Sequence, residues 1–217
     1  MTTERQDQPN MDRLGASGQP AECLSASGAS TDCPSQDNAP STTRSPGLAQ
    51  LFEAQAGSTP EAIALVEGSR MLTYAELDRH AGRFAEILLN TGAGPEQVFA
   101  ILSPATIESI VAILGILKAG AAYLPLDPGQ PDIRLASILS DARPTGIVAD
   151  EGVAVYLPVP LRSLCVAMPS LTVAPSVVPV NPRRQVSPDH IAYLTYTSGS
   201  TGDPKAVAVS HGAIMHS

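Results

Sequence analysis

Tyr193-Leu-Thr-Tyr-Thr197, Ser198-Gly-Ser-Thr-Gly202, Asp203-Pro-Lys205 and Ala206-Val-Ala-Val-Ser-His211 run consecutively near the end of the chain. The flanks, residues 191–196 and 206–209, are rich in β-branched and apolar side chains and predict two strands. Between them lies a loop made almost wholly of glycine and hydroxyl residues, closed by Pro204 and Lys205. Gly199 and Gly202 let backbone N–H groups turn inward where a Cβ would clash. Ser198, Ser200 and Thr201 add short hydroxyl donors, and Lys205 adds a point charge on a long stem. This chemistry suits a polyphosphate. A plain Gly/Ser hairpin turn with a surface lysine is the bland alternative.

The nucleotide P-loop, G-x-x-x-x-G-K-[ST], is a poor match because it must open a helix. Here Pro204 and Lys205 precede a strand-like run, and Lys205 does not follow a glycine. The pattern predicts a strand–loop–strand phosphate cradle.

The chain has 217 residues, 43% of them hydrophobic, which is enough for a real core. Its net charge of −8 leaves no basic stripe for nucleic acid. Only two lysines occur, Lys118 and Lys205, and both lie in stretches singled out here. Cys23, Cys33 and Cys165 show no metal-ligand spacing, and an odd, scattered set fits a reducing compartment. There is no signal-peptide pattern and no run near the ~18 apolar residues of a membrane span. A cytoplasmic chain without membrane or nucleic-acid contacts is expected.

Residues 1–46 are polar and Pro/Gly-rich and predict a disordered leader. Folding is expected from residue 47. A short helix begins at Leu48, and residues 62–66 and 70–73 predict a hairpin across Gly68-Ser69. Thr73-Tyr-Ala-Glu76 predicts a capping box, with Leu72 and Leu77 as a staple. The helix it opens would bury Leu77, Ala81, Phe84 and Leu88. Its charged residues, Glu76, Asp78, Arg79, Arg83 and Glu86, read as a solvated face, with His80 exposed among them.

Residues 98–102, about 105–118 and 121–126 predict a β–α–β unit, hence parallel strands. Pro131 is expected at the first position of a helix over 132–141, followed by a strand at 146–149. From 151 to 188, seven prolines predict irregular structure with short strands. The alternation as a whole predicts an α/β layered fold.

Three stretches, Leu72-Thr-Tyr-Ala-Glu-Leu77, Leu117-Lys-Ala-Gly-Ala-Ala-Tyr-Leu-Pro-Leu-Asp-Pro128 and Tyr193-Leu-Thr-Tyr-Thr-Ser-Gly-Ser-Thr-Gly-Asp-Pro-Lys205, resemble the first three core motifs of nonribosomal peptide synthetase adenylation domains. These belong to the AMP-forming acyl/aryl-CoA synthetase and luciferase superfamily. The resemblance covers roughly residues 48–217 and leans to the amino-acid-activating branch. It implies the N-terminal layered α/β portion of an AMP-forming (ANL-type) adenylation domain, incomplete over 47–217.

It also implies a reaction. A carboxylate, usually of an amino acid, attacks the α-phosphate of Mg-ATP, pyrophosphate leaves, and the acyl group passes to a phosphopantetheine thiol on a peptidyl carrier protein. The loop candidates are Thr197, Ser198, Gly199, Ser200, Thr201, Gly202 and Lys205, with Lys205 the catalytic one. No protein metal ligand is assigned, the Mg²⁺ arriving with ATP. Lys118 and Asp127 read as structural. Two other readings are a piece of an acyl-CoA or aryl-acid ligase and a non-catalytic nucleotide-binding remnant.

Two departures from the family pattern matter. Ala206 stands where glycine is usual; it is harmless if extended and strained if φ is positive. Ser217 comes just past the loop, so the downstream substrate pocket and lid are absent. The chain alone is expected to be incompetent in adenylation. The leader after Met1 would place the domain first in its polypeptide.

Overall fold

The computed structural model describes residues 47–155, 157–172, 186–198 and 204–215. The expected leader, residues 1–46, lies outside them. Helix α1 (Leu48–Ser58) leads into the hairpin of β1 (Ile63–Glu67) and β2 (Arg70–Thr73). Glu67 pairs with Arg70, leaving Gly68 and Ser69 as the two-residue turn, as expected. The Arg70 guanidinium also bridges from Glu67 to Glu108.

Helix α2 (Tyr74–Asn90) starts at the predicted capping box. The Glu76 N–H donates to Thr73 Oγ1 at 3.3 Å, and the Thr73 N–H donates to Glu76 Oε2 at 2.9 Å. That backbone hydrogen bond holds the Glu76 carboxyl below its ordinary range. Leu72 packs against buried Leu77, completing the staple. Leu77, Ala81, Phe84 and Leu88 are all buried.

Strand β3 (Val98–Leu102), helix α3 (Ile107–Lys118) and strand β4 (Ala122–Leu126) form the expected unit. The strands are parallel, in register from Val98 beside Ala122 to Leu102 beside Leu126. Helix α3 begins two residues later than the sequence predicts. Thr106 is its cap, its hydroxyl accepting the Ser109 N–H at 3.2 Å. Where α3 crosses α2, Gly115 is required: a Cβ there would lie 2.8 Å from Phe84 Cδ1 and 3.1 Å from the Ala81 carbonyl oxygen. The lack of a side chain lets the two helices meet that closely.

Helix α4 (Asp132–Ala142) and strand β5 (Gly146–Ala149) follow. Pro131 is the N-cap of α4, one position before the expected first turn. The stretch expected to be irregular contains two one-turn helices, α5 (Glu151–Ala154) and α6 (Val159–Arg162), before the short strand β6 (Cys165–Ala167). At α6 the prolines explain the miss. Pro158 and Pro160 fall at the cap and within the first turn of α6, where a missing N–H costs nothing. Strand β7 (Ile191–Ser198), strand β8 (Pro204–Ser210) and helix α7 (His211–Met215) complete the described chain.

The main sheet has the order β6-β5-β3-β4-β7-β8. Its first five strands are mutually parallel, and β8 is an antiparallel edge. Alternate side chains face opposite layers. Phe99, Ile101 and Val148 pack with Phe84 of α2 and Ile116 of α3. Ala100, Leu102, Leu124, Leu126 and Ile147 pack with Leu135, Ile138 and Leu139 of α4. Both faces are covered, as a parallel sheet requires. The α/β layered expectation holds.

Candidate functional site

The β7–β8 hairpin bears the loop singled out from the sequence. Pairing runs from Ile191 opposite Ser210 to Ser198 opposite Pro204, so residues 199–203 form the connection. Both flanks are strands, as the sequence predicts. Pro204, lacking an N–H, takes the first position of an edge strand, where it is tolerated. Ala206 pairs with Tyr196 inside β8, and its φ is not positive. Alanine in place of glycine therefore costs nothing there. Gly199, Ser200, Thr201 and Gly202 lie outside the described residues.

Strand β7 runs parallel to β4, with Tyr193 beside Tyr123 and their rings stacked at 5.5 Å. Counting along that register, Tyr196 is level with Leu126, the last residue of β4. The hairpin therefore projects past the carboxyl edge of the parallel strands, by about 7 Å at Ser198 at the usual strand rise. In open α/β sheets this carboxyl edge is where ligands bind.

The two faces of this arm differ. Leu194 and Tyr196 pack toward the α4 side. Tyr193 packs on the opposite side, beside Leu117 of α3 and Ala49 of α1. By strand alternation Thr197 shares the Tyr193 face, and Lys205 lies directly opposite Thr197. Both are exposed. A hydroxyl-bearing and an ammonium-bearing residue thus stand side by side on one exposed face of the hairpin.

Behind them, the Tyr196 hydroxyl donates to Asp141 Oδ2 of α4 at 2.7 Å. Burial, that hydrogen bond and the charge of Asp141 together push the phenol up, so it stays a donor. At the other end of β7, the Ile191 N–H donates to Glu96 Oε1 at 3.1 Å. Glu96 holds a left-handed backbone, φ 62°, uncommon for a non-glycine residue. Sequence reasoning missed both contacts.

Lys118 and Asp127 are structural, as read from the sequence. The Lys118 side chain is 1% exposed; its ammonium donates to Glu53 Oε1 of α1 at 2.6 Å and lies 2.9 Å from Asp78 Oδ1 of α2. Three helices are joined there. Asp127 Oδ1 accepts the Gly129 N–H at 2.8 Å, an Asx turn after β4.

Two readings of α2 are corrected. Asp78 is half-buried against Lys118 and does not belong to a solvated face. His80 is only 8% exposed, packed in a small cleft with Phe84, Val166 and Met168. Burial, then the positive charge of Arg79, lowers its pKa. Position 80 falls on the Leu77–Ala81–Phe84 side once β6 closes over the helix, and nothing local announces β6.

Among the described residues no group of three or more His, Cys, Asp or Glu is placed to hold a metal ion. Nor is any helix among them long and apolar enough to cross a membrane.

Residues 52–217 match the AMP-binding enzyme family. The dimodular nonribosomal peptide synthase of Bacillus subtilis (strain 168) is 42% identical over 177 residues, covering 78% of this chain and 7% of that protein. Malpinin synthetase of Mortierella alpina is 45% identical over 169 residues, covering 77% of this chain and 2% of that protein. The chain thus spans a small fraction of the length of the curated relatives it matches. Among solved structures, the AMPPNP-bound form of the nonribosomal peptide synthetase FmoA3 aligns at TM-score 0.67 and 32% identity, over 80% of this chain and 18% of that one. Three sequence motifs, a doubly covered parallel sheet with a projecting hairpin, and these likenesses agree: the chain belongs to the AMP-binding enzyme family, of which it carries the N-terminal portion.

Proposed function

We propose that this chain supplies the phosphate-binding part of an amino-acid-activating adenylation domain in nonribosomal peptide synthesis. The observation that carries the reading is the β7–β8 arm, which places Thr197 and Lys205 on one exposed face past the carboxyl edge of the sheet. The two relatives named above, a nonribosomal peptide synthase and malpinin synthetase, favour an amino acid over other carboxylic acids as the substrate. FmoA3, solved with AMPPNP, supports ATP as the nucleotide.

The residues at the arm fit a polyphosphate. Lys205 would neutralise the charge gathering on the departing pyrophosphate, and Thr197 would donate its hydroxyl to a phosphate oxygen. Ser198, Gly199, Ser200, Thr201 and Gly202 would complete the cradle with N–H and hydroxyl donors. Mg²⁺ bound with ATP would share that charge; no carboxylate of this chain is assigned to it. Holding the triphosphate in line is the contribution these residues make, since positioning and charge stabilisation dominate phosphoryl chemistry. The acyl acceptor would be the phosphopantetheine thiol of a carrier protein, in the cytoplasm. Residues 47–217 would form the partial domain and 1–46 a leader.

The test is calorimetric titration of the 217-residue chain with Mg-ATP, beside Lys205→Ala. Binding by the wild type, weakened at least tenfold in the variant, is expected. Equal affinity in both would remove Lys205 from the cradle.

A further inference from the structure

We propose that Tyr196 and Asp141 form a positioning pair that fixes the β7–β8 arm from behind, so that Thr197 and Lys205 are held ready for their anion. This rests on the reading of the arm as a phosphate cradle. The arm needs such a device. Past the bridge at Tyr193, β7 pairs among the described residues with β8, whose residues 205–208 are exposed. A two-stranded ribbon past the end of its sheet is marginally stable by itself. Among the described residues, the one side-chain hydrogen bond made by residues 194–197 and 204–209 is Tyr196 to Asp141, at 2.7 Å.

The geometry separates holding from binding. Tyr196 is on the α4 face, between Thr195 and Thr197, whereas Thr197 and Lys205 are on the other. A ligand on the front face would leave the anchor untouched. Asp141 lies in the last turn of α4, a helix buried through Leu135, Ile138 and Leu139. The arm is thereby tied to a core-packed element. Glu96 fixes the start of β7 through the Ile191 N–H, so the strand is held at both ends by carboxylates from outside the hairpin. The Asp141 contact, one residue before Thr197, is the one nearest the face that carries Thr197 and Lys205.

Hydrogen exchange of the Thr197 and Lys205 amides in the nucleotide-free chain tests the pair directly, with Mg-ATP affinity as the second readout. Tyr196→Phe keeps the ring and removes the hydroxyl; Asp141→Leu removes the acceptor; Asp141→Asn keeps a carbonyl acceptor. We expect Tyr196→Phe and Asp141→Leu each to speed exchange at both amides about fivefold, with no further gain in the double variant. Asp141→Asn should recover part of the protection, and α3 amides should be unaffected. Affinity for Mg-ATP should weaken about fivefold in parallel. Unchanged exchange at the arm, or exchange that speeds equally in α3, would overturn the pair as a local anchor. Faster exchange with full Mg-ATP affinity would overturn its positioning role. A wild-type chain without Mg-ATP affinity would instead sink the proposed function, and the exchange data would still decide whether the anchor exists.

Discussion

The α2–β3–α3–β4 core and the β7–β8 arm are held by opposite means. In the core, apolar side chains interlock from both layers: Phe84, Phe99 and Ile116 are essentially inaccessible, and Gly115 lets α3 seat against α2. In the arm, exposed Thr197 and Lys205 stand on the front, and β7 is held by carboxylates at its start, through the Ile191 N–H, and on its back, through Tyr196. The contrast teaches where each kind of information resides. Packing gives the core its stability and says nothing about ligands; the arm is where the proposed chemistry lies.

Substitutions should separate the two regions by magnitude and by readout. The largest effect belongs to Phe84→Ala, expected to cost about 3–5 kcal/mol in chemical denaturation, because a fully buried ring leaves a cavity. Gly115→Val should cost about 1–3 kcal/mol by forcing α2 and α3 apart, also visible in denaturant midpoints. Thr73→Ala should cost about 1 kcal/mol, removing the cap from α2. Lys205→Ala should change stability by no more than about 0.5 kcal/mol, yet weaken Mg-ATP binding. A large stability loss from Lys205→Ala, or lost binding from Thr73→Ala at unchanged fold, would break the contrast.

Acid should act on the packed regions. Burial lowers the pKa of both His80 and His211, in the latter case with added repulsion from His190. Both are therefore neutral in the fold while the unfolded chain binds protons below its ordinary value of about 6.5. Their contribution to stability is full above that value and is lost as pH falls through the folded values. Thermal melts between pH 7.5 and 5 should show the decline. His211, 2% exposed, has no hydrogen-bond partner at either ring nitrogen among the described residues. His211→Leu breaks no side-chain hydrogen bond and should flatten the slope.

Much of the core was legible because its signals are local. The Thr73 to Glu76 box, the Leu77–Ala81–Phe84–Leu88 spacing and the apolar runs of β3 and β4 each specify an element within a few residues. The strand–loop–strand character of the arm was legible for the same reason. What escaped was long-range. Tyr196 and Asp141 are 55 positions apart, and Ile191 and Glu96 are 95 apart. Their pairing follows from sheet order, which no local pattern encodes. His80 was misread because its cover comes from β6, and α6 because prolines at a helix start resemble breakers.

The most direct measurement is a ¹⁵N chemical-shift map of the chain titrated with Mg-ATP. If the arm is the phosphate cradle, the Thr197 and Lys205 amides shift first and saturate together, while α2 and α3 stay fixed. Shifts confined to the apolar groove lined by Ile133, Leu139 and Val159, with the arm unmoved, would contradict it.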